Sequence, residues 1–138
     1  MKRKQGFTLV EILIVMVIAG IGLMTVAPKL AQNTILSDST ETFFQEIIDS
    51  HLKAATELNT QVFITGYKGS DTIQLFDGTR VSIPAGDVRT VHINEETATG
   101  AEFRIYFYTD GLFDQFRIEF RNKSELESYP ALLQVVMK

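Results

Sequence analysis

Cysteine is absent from this 138-residue chain. The protein therefore has no disulfide, even if it is exported to an oxidising compartment, and no thiol nucleophile. The sequence also lacks a Gly-x-Ser-x-Gly elbow, a glycine-rich phosphate loop and a His-Glu-x-x-His motif. His51 and His92 are the only histidines, and they stand alone on a predicted helix and a predicted strand. These absences predict a protein that is not an enzyme, needs no cofactor or metal, and is stabilised by packing.

Positive charge is also scarce. The chain has 13 Lys and Arg against 17 Asp and Glu, and loss of Lys2, Arg3 and Lys4 would take its formal net charge from −4 to about −7. Nucleic-acid-binding proteins usually concentrate Lys and Arg on one face, so no nucleic-acid partner is expected. Six basic residues beyond the predicted helix are spread along predicted strands and turns, which favours a solvated sheet face over a local basic patch: Arg80, Arg89, Arg104, Arg117, Arg121 and Lys123.

The first thirty residues contain a basic tip and a long apolar run. Lys2, Arg3 and Lys4 precede about twenty mostly apolar residues that stop at Pro28. A helix of that length crosses a hydrocarbon core of roughly 30 Å. Glu11 interrupts the run, and a charge at bilayer depth costs at least ~2.5 kcal/mol on insertion scales. Such a carboxylate predicts a functional site with a positively charged partner.

A removable secretory signal is the first alternative for this segment. Its apolar region would be roughly 7 to 15 residues long and would end in small residues at a cleavage site. This run is longer, and its Thr25-Val26-Ala27 end meets Pro28, which would hinder cleavage. A retained span is favoured, and the positive-inside rule puts the N-terminus in the cytoplasm and the remainder in the periplasm.

Residues 4–11, Lys-Gln-Gly-Phe-Thr-Leu-Val-Glu, resemble the leader and N-terminus of type IV prepilins and type II secretion pseudopilins. The resemblance implies cleavage after Gly6 by a prepilin peptidase, N-methylation of the new terminal Phe7, and retention of the apolar run as anchor and filament core. It also implies that Gly20 and Pro28 bracket a helix segment able to unwind in the filament. A plain membrane anchor is the alternative.

The charge and position of Glu11 suggest a role independently of the resemblance. Cleavage would give Phe7 a free α-amine with a reference pKa of about 8, one helical turn from Glu11. In a filament the carboxylate could instead pair with the Phe7 amine of a neighbouring subunit and so set the register for assembly. The alternative is a carboxylate that only snorkels to the membrane interface.

Beyond the anchor, residues 29–59 show helical spacing of apolar residues, which predicts an amphipathic helix packed on a sheet. The Ser37–Glu41 stretch has capping chemistry, so a fresh helix start there competes with a continuous helix, which is favoured. His51 on this helix is expected to be a satisfied boundary histidine rather than a metal ligand.

After Asn59 the apolar period changes to two. About seven strands are predicted, at residues 62–65, 72–76, 79–83, 88–93, 103–108, 116–120 and 132–137. Turn residues separate them, with Asp77-Gly78 as a two-residue hairpin and the 97–100 stretch as a loop. Short strands at near-regular spacing predict two packed antiparallel sheets.

The helix-then-strands order, together with the turn at residues 107–113, resembles the GspH/FimT-type domain of minor pseudopilins. Many major type IV pilins close a C-terminal loop with a cysteine pair, so the absence of cysteine argues against a major pilin. Turn chemistry accounts for the aspartates Asp71, Asp77, Asp87, Asp110 and Asp114. Calcium between Asp110 and Asp114 is disfavoured, because the loop between them lacks further oxygen donors.

The sequence therefore predicts an α+β, pilin-like protein: a long N-terminal transmembrane and amphipathic α-helix packed on an antiparallel β-sandwich-like domain. The predicted organisation is a leader at 1–6, a transmembrane segment at 7–28 and one periplasmic domain of roughly 100 to 110 residues at 29–138, with strands from about 61. The predicted function is that of a minor pseudopilin of the type II secretion pseudopilus, a structural component for protein export across the outer membrane. Its expected partners are other pilin-like subunits, the prepilin peptidase and the inner-membrane assembly platform. The alternatives are a minor type IV pilin for pilus assembly, adhesion or DNA uptake, and a membrane-anchored binding module that does not polymerise.

Overall fold

A computed structural model describes residues 8–138, with the backbone alone for residues 22–36. The chain divides into two units, Met1–Ile35 and Leu36–Lys138. Over the described residues it has one α-helix, nine strands and a short 3-10 helix. The elements are α1 Leu9–Leu58, β1 Val62–Tyr67, β2 Thr72–Gln74, β3 Arg80–Ser82, β4 Val88–Ile93, β5 Glu96–Thr97, β6 Glu102–Phe107, β7 Phe116–Phe120, β8 Glu125–Tyr129, the 3-10 helix Pro130–Leu132, and β9 Gln134–Met137. The predicted α+β class is confirmed. Within the described part of the chain, no helix combines the length and apolar character that a membrane crossing requires.

The strands form two antiparallel sheets, as predicted. The first sheet has the order β3-β2-β1-β6 and the second the order β5-β4-β7-β8-β9. Their inward side chains alternate with outward ones, which is clearest in β6 and β7. One buried cluster takes side chains from both sheets and from the second half of α1. Its members include Phe44, Ile48, Ile64, Ile105, Val91 and Ile118.

The C-terminal half of α1 packs against both sheets. The His51 ring lies 5.0 Å from Phe107 of the first sheet, and the Phe44 ring lies 6.0 Å from Phe116, the first residue of β7 in the second sheet. The prediction that the helix is laid against one sheet is therefore wrong. The reason is the width of its buried stripe, in which both i+3 and i+4 positions are apolar.

Polar side chains of α1 cover the outer edge of β9. The Met137 amide donates to Glu41 Oε1 at 2.9 Å, and Gln45 Nε2 donates to the Leu133 carbonyl at 2.8 Å. An unpaired edge strand exposes main-chain donors and acceptors. Here two side chains one helical turn apart satisfy part of that edge.

The strands at 88–93 and 116–120 have the predicted bounds, but two strands were not predicted. β5 follows a turn in which Asn94 and Glu95 have φ of 50° and 70°. A two-residue hairpin needs positive φ at both positions, and its usual second residue is glycine. The predicted loop at 97–100 is therefore wrong at its first residue, because Thr97 belongs to β5.

β8 was missed because three consecutive residues, Leu126, Glu127 and Ser128, are buried, so its sequence does not alternate. Glu127 lies among Arg117, Tyr129 and Lys138, which satisfy its carboxylate. The ammonium of Lys138, followed by the Tyr129 hydroxyl, lowers the pKa of Glu127.

The predicted hairpin at Asp77-Gly78 joins β2 to β3, but its turn is longer than two residues. The Leu75 amide donates to the Thr79 carbonyl at 2.8 Å, which leaves Phe76, Asp77 and Gly78 in the turn. Gly78 has φ of 86° and supplies the left-handed position of a three-residue loop.

Candidate functional site

The N-terminal site is centred on Glu11, in the first turn of α1. Gly6 and Phe7, the predicted cleavage and methylation positions, lie outside the described residues. The apolar side chains that follow are exposed, including Leu9 at 82% and Met16 at 71%. Glu11 therefore stands on a helix whose surface offers nonpolar contacts around it.

Thr8 and Glu11 form a reciprocal cap at the start of this helix. Glu11 Oε2 accepts hydrogen bonds from the Thr8 amide at 3.0 Å and from the Thr8 hydroxyl at 3.2 Å. The Glu11 amide donates to Thr8 Oγ1 at 3.3 Å. This is a capping box, in which the first and fourth residues satisfy each other's backbone donors. Sequence reasoning missed Thr8, although the Thr-x-x-Glu spacing is its signal.

The carboxylate at Glu11 also lies where the helix favours negative charge. The unpaired amides of the first turn give the N-terminus of a helix a partial positive charge of about half a unit. Glu11 is exposed and keeps a second oxygen, Oε1, for a further donor. The site thus holds one carboxylate in place through two hydrogen bonds and can still bind a cation.

Gly20 and Pro28, the predicted ends of an unwinding segment, both fall within α1. The helix does not end at Pro28, and it also continues through Ser37–Glu41, in agreement with the continuity predicted there. A Cβ added at Gly20 would meet nothing within 4 Å. Within the described part of the chain, lack of space for a side chain therefore does not explain why residue 20 is a glycine.

His51 is fully buried and both of its ring nitrogens are engaged. Nδ1 lies 2.8 Å from the Ile47 carbonyl, and the Phe76 amide donates to Nε2 at 3.3 Å. Burial lowers the pKa of His51, consistent with a neutral ring protonated at Nδ1. The predicted satisfied histidine is confirmed, but it lies in the core and not at its boundary.

His92 lies on β4, with Nδ1 3.0 Å from Thr97 Oγ1. Across the described residues, no group of three or more His, Asp or Glu side chains is arranged to hold a metal ion.

Three of the turn aspartates act locally, as predicted. Asp77 Oδ1 accepts from the Thr79 amide at 2.9 Å, and Asp110 Oδ1 accepts from the Leu112 amide at 3.2 Å. Asp71 Oδ1 accepts from the hydroxyl of its neighbour Thr72. The hydrogen bonds with Thr79 lower the pKa of Asp77.

Asp114 has a larger role than turn chemistry. It is 7% exposed and accepts from the Tyr106 amide at 3.0 Å, the Tyr108 hydroxyl at 2.9 Å and Asn94 Nδ2 at 3.0 Å. The hydrogen bond to Asp114 raises the pKa of Tyr108. Asp114 therefore ties β6 in the first sheet to the β4–β5 turn of the second.

Several basic side chains of the domain are paired with acids. Arg104 Nη2 lies 2.9 Å from Glu102, Arg117 lies 3.4 Å from both Glu125 and Glu127, and Arg121 lies 3.1 Å from Asp87. These pairs agree with the prediction of a solvated sheet face and not a local basic patch.

Comparison with protein families gives one finding, and it falls on the N-terminal segment. Residues 1–27 match the prokaryotic N-terminal methylation motif. Comparison with curated proteins and with solved structures gave no match. The chain therefore carries a prepilin signal of the kind found in type IV pilin-like and pseudopilin precursors. This motif implies processing by a prepilin peptidase and assembly with other pilin subunits.

Proposed function

We propose that this protein is a minor pseudopilin, a structural subunit of a type II secretion pseudopilus. The observation that carries the proposal is the prepilin motif at residues 1–27. Within it, α1 begins with Glu11 in its first turn, and this acid caps the helix. An α+β domain with two antiparallel sheets follows the motif, which is consistent with a pilin-like fold.

In this proposal the precursor is cleaved after Gly6, and the new terminal Phe7 is methylated. Residues 7–28 anchor the subunit in the inner membrane, and the domain from about residue 29 lies in the periplasm. Proline has no amide proton for the i−4 carbonyl. Pro28, inside α1, would therefore mark one end of a segment between Gly20 and Pro28 that unwinds in the filament.

Glu11 would exchange partners during assembly. In the isolated chain it caps its own helix, and such a cap contributes about 1 kcal/mol. In a filament, Glu11 would pair with the Phe7 amine of a neighbouring subunit. That pair would be charge-assisted and removed from water, so losing one member would cost ~3 to 5 kcal/mol.

Acidity favours a secretion subunit over a DNA-uptake pilin. The formal net charge is −4 with the leader, and several arginines of the domain are paired with carboxylates. The absence of cysteine favours a minor subunit over a major pilin with a closed C-terminal loop. The protein would have no catalytic activity, and the ATPase and peptidase of the system would supply the chemistry.

Replacement of Glu11 tests the proposal. Glutamine also completes a capping box, so Glu11→Gln keeps the cap and removes the charge, while Thr8→Ala weakens the cap and keeps the charge. We expect Glu11→Gln and Glu11→Ala to reach wild-type levels in the membrane, yet to incorporate at least 100-fold less into filaments. We expect Thr8→Ala to assemble close to wild-type levels.

The measurement is the amount of each variant in purified membranes and in sheared filaments, by immunoblot. Equal incorporation of Glu11→Gln and the wild-type protein would show that Glu11 acts as a cap and not as an assembly charge. An N-terminus of the mature wild-type protein other than Phe7 would contradict the processing step.

A further inference from the structure

The outer face of the first sheet carries an open groove of about 540 Å³. It lies between the end of α1, strand β1 and the β2–β3 turn. Four large, partly exposed side chains contribute to its nonpolar lining: Leu58 at 59%, Phe63 at 38%, Tyr67 at 39% and Phe76 at 44%. Binding pockets of this size class usually combine aromatic lining with a few polar groups.

Neighbouring residues hold the aromatic rings in place. The Arg104 guanidinium lies 5.0 Å from the centre of the Phe63 ring, and the Tyr106 ring packs 5.4 Å from it. Phe76 is fixed by the hydrogen bond that its amide donates to His51 Nε2 and by an edge contact between the two rings at 5.0 Å. Rings ordered before binding lose little conformational entropy when a ligand arrives.

The groove has no net charge. Its charged lining residues are Glu102 and Arg104, which neutralise each other at 2.9 Å. A polyanion would need an excess of Lys and Arg, which this face does not offer. The charge balance therefore fits a neutral ligand.

The polar lining also selects among neutral ligands. Gln61 and Gln74 present amides, and Tyr67 presents a hydroxyl, around the nonpolar surface. An apolar helix would cover these groups and leave them without partners, which costs about 1 to 3 kcal/mol for each group. A sugar chain can stack its C–H faces on aromatic rings and give its hydroxyl and amide groups to the glutamines.

We propose that this groove binds a β-1,4-linked, N-acetylated glycan strand. The β linkage keeps such a strand extended and ribbon-like, as an open groove along β1 requires. Its acetamido methyl groups would contact Leu58 and Phe76, while its ring faces would stack on Phe63 and Tyr67. The proposal goes beyond the secretion role and does not depend on filament assembly.

Titration of the full-length protein with the tetramer of β-1,4-linked N-acetylglucosamine tests this proposal. The protein is kept in a detergent without sugar groups, and binding is followed by calorimetry. We expect saturable binding, at least tenfold weaker binding by Phe63→Ala and Tyr67→Ala, and a smaller loss for Tyr67→Phe, which keeps the ring but lacks the hydroxyl. Leu112→Ala, an exposed residue that does not line the groove, should bind like the wild-type protein.

Far-UV circular dichroism of each variant separates loss of binding from loss of fold. An α-1,4-linked glucose tetramer should not bind, because it coils and lacks acetamido groups. Absence of saturable binding by the wild-type protein, or wild-type affinity in folded Phe63→Ala, would overturn the proposal. Self-association that Phe63→Ala abolishes, without glycan binding, would instead identify the groove as a protein interface.

Discussion

At the residue scale, His51 links the protonation of one side chain to the stability of the core. Its Nε2 accepts a hydrogen bond from the Phe76 amide, which only the neutral ring can do. Burial lowers the pKa of His51, while Asp77 opposes the shift more weakly. The unfolded chain therefore binds a proton at a higher pH than the folded protein does.

We expect this histidine to make unfolding pH-dependent. Its contribution to stability is complete above the unfolded pKa of 6.5, decreases as the pH falls below 6.5, and is lost once the pH reaches the lowered folded pKa. The slope is at most about 1.4 kcal/mol per pH unit. Urea unfolding between pH 8 and pH 5 measures it.

The control for this prediction is His51→Gln, which cannot titrate. This variant should be less stable at pH 8 but should lose the histidine part of the slope, whereas His92→Gln keeps His51 and should retain it. Equal slopes for His51→Gln and the wild-type protein would assign the pH dependence to other groups.

The same scale shows which side-chain roles the sequence could predict. The Thr8-x-x-Glu11 cap is local, so its spacing in the sequence carries the signal, although sequence reasoning missed it. Asp114 was assigned only to a turn, because its donors lie 6 to 20 residues away in the chain. Burial of a carboxylate among distant donors depends on the tertiary fold, which a local pattern does not contain.

At the element scale, one glycine in β1 leaves room for a core ring of β6. Gly66 is opposite Phe103 in the ladder, and a Cβ added to Gly66 would lie 2.2 Å from the Phe103 ring. Phe103 is 3% exposed and belongs to the core cluster. Its ring therefore uses the space that a side chain at position 66 would fill.

Gly66→Ala is expected to destabilise the protein by about 1 to 3 kcal/mol through overpacking. Gly100→Ala is the matched control, since its added Cβ would come no closer than 3.5 Å to its neighbours. Thermal or urea denaturation measures both variants.

The double variant Gly66→Ala/Phe103→Leu identifies the cause. If the clash is responsible, the double variant should be no less stable than Phe103→Leu alone, because neighbouring substitutions are then non-additive. Simple addition of the two losses would mean that Gly66 is required for its backbone conformation.

Strands were predicted correctly where only one face of the strand is buried. They were missed where specific side-chain contacts bury consecutive residues or where the turn before the strand has no glycine. β7 follows the period of two, and both β4 and β7 have the predicted bounds. β8 does not, because Glu127 and Ser128 are buried against partners in other strands. β5 depends on Asn94 and Glu95 at positive φ, where the sequence has no glycine to mark the turn.

At the scale of the whole molecule, the sheet edges within the described residues are short or covered. β3 and β5 have three and two residues. β6 is partly covered by the segment that contains Phe113 and Asp114. β9 is covered by Glu41 and Gln45 of α1. Short or covered edges prevent strand-to-strand aggregation.

Removal of both side chains that cover β9 should therefore expose a strand edge. We expect Glu41→Ala/Gln45→Ala to lose about 1 to 3 kcal/mol of stability, from two hydrogen bonds, and to aggregate faster at high protein concentration. Glu46→Ala is the control, since this exposed residue lies on the same helix. Light scattering and thioflavin fluorescence measure the difference, and equal aggregation of the double variant and the control would contradict this role of the two side chains.

The closed edges also limit how this subunit can join a polymer. Polymers built by strand addition are linked through rows of main-chain hydrogen bonds, and such links separate slowly. A subunit whose sheet edges, over the described residues, are short or covered would use side-chain surfaces instead, and these exchange partners more readily. A filament of such subunits would be reversible, so that it could be extended, dismantled and rebuilt from the same pool of protein.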